Sequence, residues 1–537
     1  MGEQVQGSRE NSSRIKKIAY KFLTQNATQA SLIFMATTLT SRLLGFLRDI
    51  LVGAYFGTTR AADALTAMIP VNSAFQDVVN GALVVAMIPL FIESLEIDQE
   101  KAKNDLSVVF SYIFLILLII SIALIAFSGP ISRFLLPGFS EQVHLRIAES
   151  LLDIFAVSSL LWALTDLLFG AAQSEKHFLI TALLPLLANT SIIISLLSLH
   201  NSIGILSYPV GVASGALLQL SIMIIYGKKI LGLKFKLNFN SKNTFLFKLF
   251  IFSIPLILQQ VLNYAVTFTA NGMASKLSEG SVAALSYANK LRLLSIGVLT
   301  TPLAVSFYPF LSQAASEKRY DQLKDIYSKS IRFASLLVAP VMLVSVFFAE
   351  TIIKIVYHRG AFNVQAVLLT VKPFQYYSLG IFAMMIVIIT MRLFYSLKKM
   401  SITLIVSAIG AIINIVLFYI LTKTLEHSGI ALSISITLYI EAFIFFVLLK
   451  REIGNFGFLK IIFSIFKIFL AAALGVLGMY FVFIYLGGFS HPTNTKIFIS
   501  FIESAMMFIM IYIPVLSILK VSEVKNLIFS LKKLFKR

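Results

Sequence analysis

The chain has 537 residues, 58% of them hydrophobic and 13% charged, with 45 Lys and Arg against 25 Asp and Glu and no cysteine. Apolar runs of about 20 residues recur from end to end, each long enough to cross the hydrocarbon core of a bilayer. This describes an all-α polytopic membrane protein without a soluble domain, and it excludes disulfides, thiol catalysis and thiolate metal sites. The first 30 residues are polar and basic and carry no short apolar segment ending in a cleavage signal. The first membrane helix is therefore expected to serve as its own targeting signal.

Fourteen spans are predicted in chain order, at 31–57, 63–95, 107–128, 147–172, 178–199, 203–226, 249–275, 280–312, 330–348, 374–396, 401–423, 428–449, 461–486 and 496–519. Spans two and eight exceed what a bilayer needs and are expected to tilt or to project from it. With the N-terminus inside, about 30 of the Lys and Arg fall on cytoplasmic connections and about 9 on the opposite side, the asymmetry of a chain with both termini cytoplasmic. The excess positive charge is thus a topology signal and a face for anionic lipid headgroups, with no call on nucleic acid.

The basic connection 227–248 divides the chain nearly in half. AADALTA (Ala61–Ala67) resembles SVAALSY (Ser281–Tyr287) and IPLF (Ile88–Phe91) resembles YPFL (Tyr308–Leu311), both at an offset of 220 residues. The expected organisation is a basic tail at 1–30, an N-lobe of six spans at 31–226, the linker at 227–248 and a C-lobe of six spans at 249–449. An added helix pair at 450–519 and a basic tail at 520–537 complete it. Two halves related by duplication, with a binding region near the midplane, are a recurrent transporter plan.

Little in the sequence points to covalent catalysis. No GxxxxGKS/T phosphate loop and no His pair at metal-ligand spacing occurs. The connections opposite the termini are short, the longest at 129–146 and 350–373, and none resembles the acidic catalytic loop of a membrane glycosyltransferase. The six histidines, His144, His177, His200, His358, His427 and His491, lie in or beside connections, where solvated side chains are expected. Lys467, near a span end, is expected to snorkel, and Asp166 and Glu441 have no evident partner.

Charge inside the spans is more informative, because an ionisable side chain at bilayer depth faces a protein interior or an aqueous cavity. Span one carries Arg42, Arg48 and Asp49; Arg42 and Asp49, seven apart, fall on one face, and Arg48 lies to the side. Span two begins at Asp63 and carries Asp77 and Asn80. Span eight carries Asn289, Lys290 and Arg292. Cations in both halves suit an anionic substrate, a phosphate or diphosphate held by bidentate guanidinium contacts. The structural alternative is an ion-pair network of Arg42 or Arg48 with Asp49, Asp63 or Asp77 that locks the helices together.

TSRLLGFLRDILVGAYFGTTRAADALTAMIP (Thr40–Pro70), LLPGF (Leu135–Phe139), LLPLLAN (Leu183–Asn189), YHRGAFN (Tyr357–Asn363), RLFYSLKKM (Arg392–Met400) and HSGIALSIS (His427–Ser435) resemble, in this order, the MurJ/MviN lipid II flippases of the multidrug/oligosaccharidyl-lipid/polysaccharide exporter superfamily. The resemblance implies fourteen helices in two pseudo-symmetric lobes, with a C-terminal pair flanking a groove for the lipid tail. It implies a transporter, not an enzyme, of the bacterial cytoplasmic (inner) membrane, which moves a polyprenyl-diphosphate-linked sugar by alternating access in cell wall biogenesis. Its partners are membrane lipids and cell-wall synthases; no cofactor or metal is implied, and coupling to an ion or to the membrane potential stays open. By the same resemblance Arg42, Arg48 and Asp63 correspond to polar positions of a central cavity. Asp49, Asn80, Asn289 and Asn414 are polar support. Lys290 stands where the family has arginine, with Arg292 to compensate. The sequence departs from the family at Val71–Asp77, which lacks the usual arginine, and spans seven and eleven lack the carboxylate of a sodium site. The competing substrate is another polyprenyl-diphosphate oligosaccharide, of a surface polysaccharide; a drug/cation antiporter would favour acidic residues where Arg42, Arg48 and Lys290 stand.

Overall fold

A chain in hydrocarbon has to satisfy its own backbone hydrogen bonds, and apolar segments of this length do so as helices. The computed structural model describes residues 27–175, 177–233, 237–240, 243–488, 493–521 and 523; His491 and most of the two basic tails lie outside them. Among the described residues the long helices are α1 (Ala27–Phe56), α2 (Arg60–Ile97), α3 (Gln99–Ala126), α5 (Gln142–Ser174), α6 (Phe178–Ile203), α7 (Ser207–Lys229), α8 (Thr244–Ser275), α9 (Ser281–Ser316), α10 (Tyr320–Phe347), α12 (Val364–Ser396), α13 (Met400–Ile453), α14 (Phe458–Tyr485) and α15 (Asn494–Ile518). Two short helices, α4 (Ser128–Leu135) and α11 (Ala349–Tyr357), lie in the connections read from sequence as loops. The 54 residues of α13 break at Glu426, where φ is 51° and ψ −141°, so α13 supplies two crossings. The described residues thus hold the fourteen crossings expected.

The duplication reaches beyond the two short sequence matches. Helices α5 and α12 are each 33 residues long and each bury 72% of their most apolar window, the highest share of any span. Short α4 and α11 precede them. A π-turn interrupts α2 at Val79–Val84 and α9 at Ile296–Thr300, upstream of Pro89 and Pro302 respectively. Proline has no N–H to give the preceding turn, and a local widening of the helix beside it redistributes the affected bonds.

The chain forms two compact units, one of residues 1–55 and 64–264, the other of residues 56–63 and 265–537. The division falls inside α8, not at the 227–248 linker. Phe245, Leu246 and Leu249 of α8 join Leu231, Leu233 and residues of α2, α3, α5 and α7 in the core of unit 1. Further along α8, the Tyr264 hydroxyl donates to Asp77. In unit 2 the core runs from α9 to α15 and includes the added pair: Phe348 packs edge-on against Phe483 and Phe501, and the Tyr512 hydroxyl donates to the Leu336 carbonyl.

Small residues let helices approach closely where lipid supplies no hydrophobic driving force between them. A Cβ on Gly211 of α7 would stand 2.7 Å from the Ile192 Cα of α6, and one on Gly215 3.3 Å from the Ala188 Cα. Gly211→Ile overpacks this seam by about 1–3 kcal/mol. It is expected to lower the thermal midpoint of the purified protein in detergent, whereas Leu217→Ala, at an exposed position of the same helix, leaves it in place.

Candidate functional site

In unit 1, Arg48 and Asp49 are neighbours on α1, and the Arg48 Nη2 lies 3.1 Å from the Asp49 Oδ1. The Arg48 Nη1 donates to the Asn189 Oδ1 of α6 at 3.1 Å, and the guanidinium stands 5.8 Å from the centre of the Tyr208 ring. Asn189 turns its amide to the carbonyl and hydroxyl of Ser41, so one side chain ties α6 to two turns of α1. Arg42 and Asp49 do not share an environment despite sharing a face: Arg42 is exposed, and Asp49 is buried with Arg48 as its cation. For Arg48 the ion-pair alternative is the arrangement present.

Elsewhere in unit 1, Asn80 donates to the Asp166 Oδ1 at 3.4 Å, which gives Asp166 the partner that the sequence did not reveal. Asp77, one turn before Asn80 on α2, accepts from Tyr264.

In unit 2, Asp63 is fully buried, and its two oxygens accept from the backbone amides of Gly280 and Ala283 at 2.8 Å each. It caps the N-terminus of α9, whose first amides have no partner within the helix. Three residues earlier Arg60 directs its guanidinium to the carbonyls of Ser275 and Leu277 at the end of α8. A carboxylate on the positive end of one helix and a guanidinium on the negative end of the other hold the α8–α9 turn from both sides. Asp63 is expected on a substrate path by resemblance, but both its oxygens are committed to amides. Its observed role is a cap.

Arg292 of α9 is 7% exposed; its Nε donates to the Asn289 Oδ1 at 3.0 Å and its guanidinium lies 4.9 Å from the centre of the Tyr377 ring. Its Nη1 is buried and has no hydrogen-bond partner among the described residues. Lys290 lies 5.7 Å from the Tyr287 ring. On α13 the Asn414 Oδ1 is likewise buried without a partner among the described residues, and the Glu441 carboxylate packs onto Gly410. The aromatic and amide partners Asn189, Tyr208, Tyr264 and Tyr377 escape sequence reasoning, although Asn189 ends the LLPLLAN segment.

Two further expectations are corrected. Lys467 does not snorkel: its Nζ donates to the Leu519 carbonyl just past the end of α15, where a helix presents negative charge. His427 is not solvated but buried, with its Nε2 2.9 Å from the Leu369 carbonyl.

A helical membrane protein of two duplicated units, each with a guanidinium among its spans, is a polytopic transporter. The family model of the lipid II flippase MurJ matches residues 52–502. The chain belongs to this family. It is 29% identical over 441 residues to the probable lipid II flippase MurJ of Buchnera aphidicola subsp. Schizaphis graminum, a match that covers 81% of this chain and 85% of that protein. Its fold is similar to a solved lipid II flippase MurJ in an inward closed conformation, with a TM-score of 0.78 and 24% identity over 93% of this chain and all of the other. It is also similar to an inward-facing multidrug resistance MATE family transporter, with a TM-score of 0.67 and 14% identity over 79% of this chain and 98% of the other.

Asp63→Ala strips two buried amides of their acceptor, each loss worth about 1–3 kcal/mol. Denaturant unfolding in detergent is expected to show a loss of that order, with Asp63→Asn, which keeps one acceptor oxygen, falling between it and the parent. Arg48→Ala leaves Asp49 as a buried unpaired charge and is expected to reduce membrane abundance, and Arg48→Ala combined with Asp49→Ala to restore it. Equal abundance of the single and double variants contradicts the ion-pair role.

Proposed function

We propose that this chain is a lipid II flippase: it carries the lipid-linked peptidoglycan precursor from the cytoplasmic to the outer leaflet of the bacterial cytoplasmic membrane. Both termini are cytoplasmic in this reading, which the Lys and Arg asymmetry of the connections supports. A diphosphate cannot enter hydrocarbon unaided, because desolvating an isolated anion costs tens of kcal/mol. The protein therefore offers cationic hydrogen-bond donors to the headgroup while the polyprenyl tail stays in lipid. The extracytoplasmic product is the substrate of cell-wall synthases, which are its functional partners.

The observation that carries this reading is Arg292. A buried guanidinium in a membrane span, with an asparagine and an aromatic ring about it and one terminal nitrogen lacking an acceptor among the described residues, is a half-made anion site. Arginine suits the task because its planar fork matches two phosphate oxygens at once. Lys290 adds charge on the same helix, and Arg42 adds charge in unit 1, where Arg48 is already paired with Asp49.

Cells depleted of their own lipid II flippase test the assignment. The parent chain is expected to restore growth and Arg292→Ala to fail at unchanged membrane abundance. Truncation removes a buried charge that has no carboxylate to strand. Arg292→Lys keeps the charge without the fork and is expected to restore growth in part. Failure of the parent chain at normal abundance overturns lipid II as the substrate, and full rescue by Arg292→Ala overturns the role of Arg292.

A further inference from the structure

Unit 2 holds a cleft of about 640 Å³ between α12 and the bend of α13. One wall is a stripe of α12, Gln365, Leu368, Leu369, Lys372 and Tyr376, whose spacing places them on one helix face. The other is the bend of α13 at 424–428. That bend is tight: a Cβ on Gly429 would run into the Leu421 backbone carbonyl, and Glu426 is driven to φ 51°, a conformation that side chains with a Cβ disfavour. Glycine would fit there with less strain. The sequence keeps a carboxylate.

The two charged groups of the cleft are uncommitted. Lys372 and Glu426 are both exposed, and neither is in an ion pair among the described residues. Both lie within electrostatic range of the His427 ring. His427 itself is 6% exposed. Its Nε2 faces a carbonyl, which can only accept, so Nε2 carries the proton and Nδ1 of the neutral ring is an acceptor. That Nδ1 is buried and has no partner among the described residues. The cleft therefore combines an exposed ammonium, Lys372, with an exposed carboxylate, Glu426. It opens toward apolar surface: Leu368 is 61% exposed, and Tyr419 and Ile420, one to two turns before the bend, are 59% and 55% exposed.

We propose that this cleft binds the headgroup of a membrane phospholipid bearing a primary ammonium and a phosphate, the chemistry of phosphatidylethanolamine. The ammonium pairs with the Glu426 carboxylate, and the phosphate pairs with Lys372. The acyl chains lie along Leu368, Tyr419 and Ile420. A choline headgroup has no N–H to donate and a glycerol headgroup has no cation, so the site discriminates among lipids of equal chain length. The inference is independent of which glycan the protein moves.

The full chain in nanodiscs of phosphatidylethanolamine, phosphatidylcholine or phosphatidylglycerol with matched acyl chains provides the test. The thermal midpoint is expected to be highest in phosphatidylethanolamine, and short-chain phosphatidylethanolamine titrated into detergent-solubilised protein to bind roughly tenfold more weakly to Glu426→Gln and to Lys372→Met. Both are exposed positions, so these variants keep the fold. Glu426→Gly removes carboxylate and backbone strain together, and is expected to raise the midpoint in phosphatidylcholine while abolishing the preference for phosphatidylethanolamine. Equal midpoints in the three lipids, or a preference that survives Glu426→Gln and Lys372→Met, overturns the proposal. A shift from soluble phosphoethanolamine as large as that from the lipid overturns the membrane as its source.

Discussion

Hydrocarbon supplies no hydrogen bonds, so every polar group that enters it has to find its partner within the protein. This constraint reaches from the backbone to the few ionised side chains. It makes the apolar runs helices, and it then acts on the helix ends, where amides and carbonyls are left over. Asp63 takes the surplus amides of α9, Arg60 the surplus carbonyls of α8 and Lys467 the carbonyl of Leu519. Asp63, placed on a substrate path by resemblance, is thus completing a helix, as are Arg60 and Lys467. A charge at bilayer depth thus signals a function only after the backbone's own claims on it have been met.

What could be read from sequence follows the range of each interaction. Spans are local features, and all fourteen are legible because twenty apolar residues announce themselves. Duplication is legible only where short segments still agree; the equivalence of α5 with α12 lies in length and burial, which no residue-by-residue match reports. Pairings are not legible at all when the partner stands 141 residues away, as Asn189 does from Arg48. The burial of His427 was hidden for another reason. Its neighbours in sequence mark a connection, and only the one-residue break at Glu426 turns that connection inward. The unit boundary inside α8 escapes for the same cause: the linker is visible as a charge run, whereas the loyalty of the first turns of α8 is decided by Phe245, Leu246 and Leu249 in a core assembled from distant segments.

The recurrence of a π-turn upstream of a proline in both α2 and α9 has the character of an inherited device. A proline alone withdraws one N–H and crowds the preceding turn. A π-turn beside it admits an extra residue and shifts the register of every side chain beyond it. In α2 the turn begins at Val79, next to Asn80, whose amide reaches Asp166; in α9 it begins at Ile296, one turn past Arg292. In each unit the irregular backbone therefore sits beside the polar side chains that the span carries.

Arg48 and Arg292 look alike in sequence, two guanidinium groups within spans, but differ in what they can offer an anion. Arg48 already has a carboxylate 3.1 Å away, so the pair presents little net charge and an incoming phosphate has to compete with Asp49. Among the described residues Arg292 has only neutral partners. In the proposed reading an arriving anion compensates its desolvation, and the Coulomb attraction acts in a medium of low dielectric constant, where it is strongest. Lys290, two residues away, lies on a different face of α9. Arg292 has its own asparagine and tyrosine about it. Arg48, by contrast, ties α1 to α6 through Asn189.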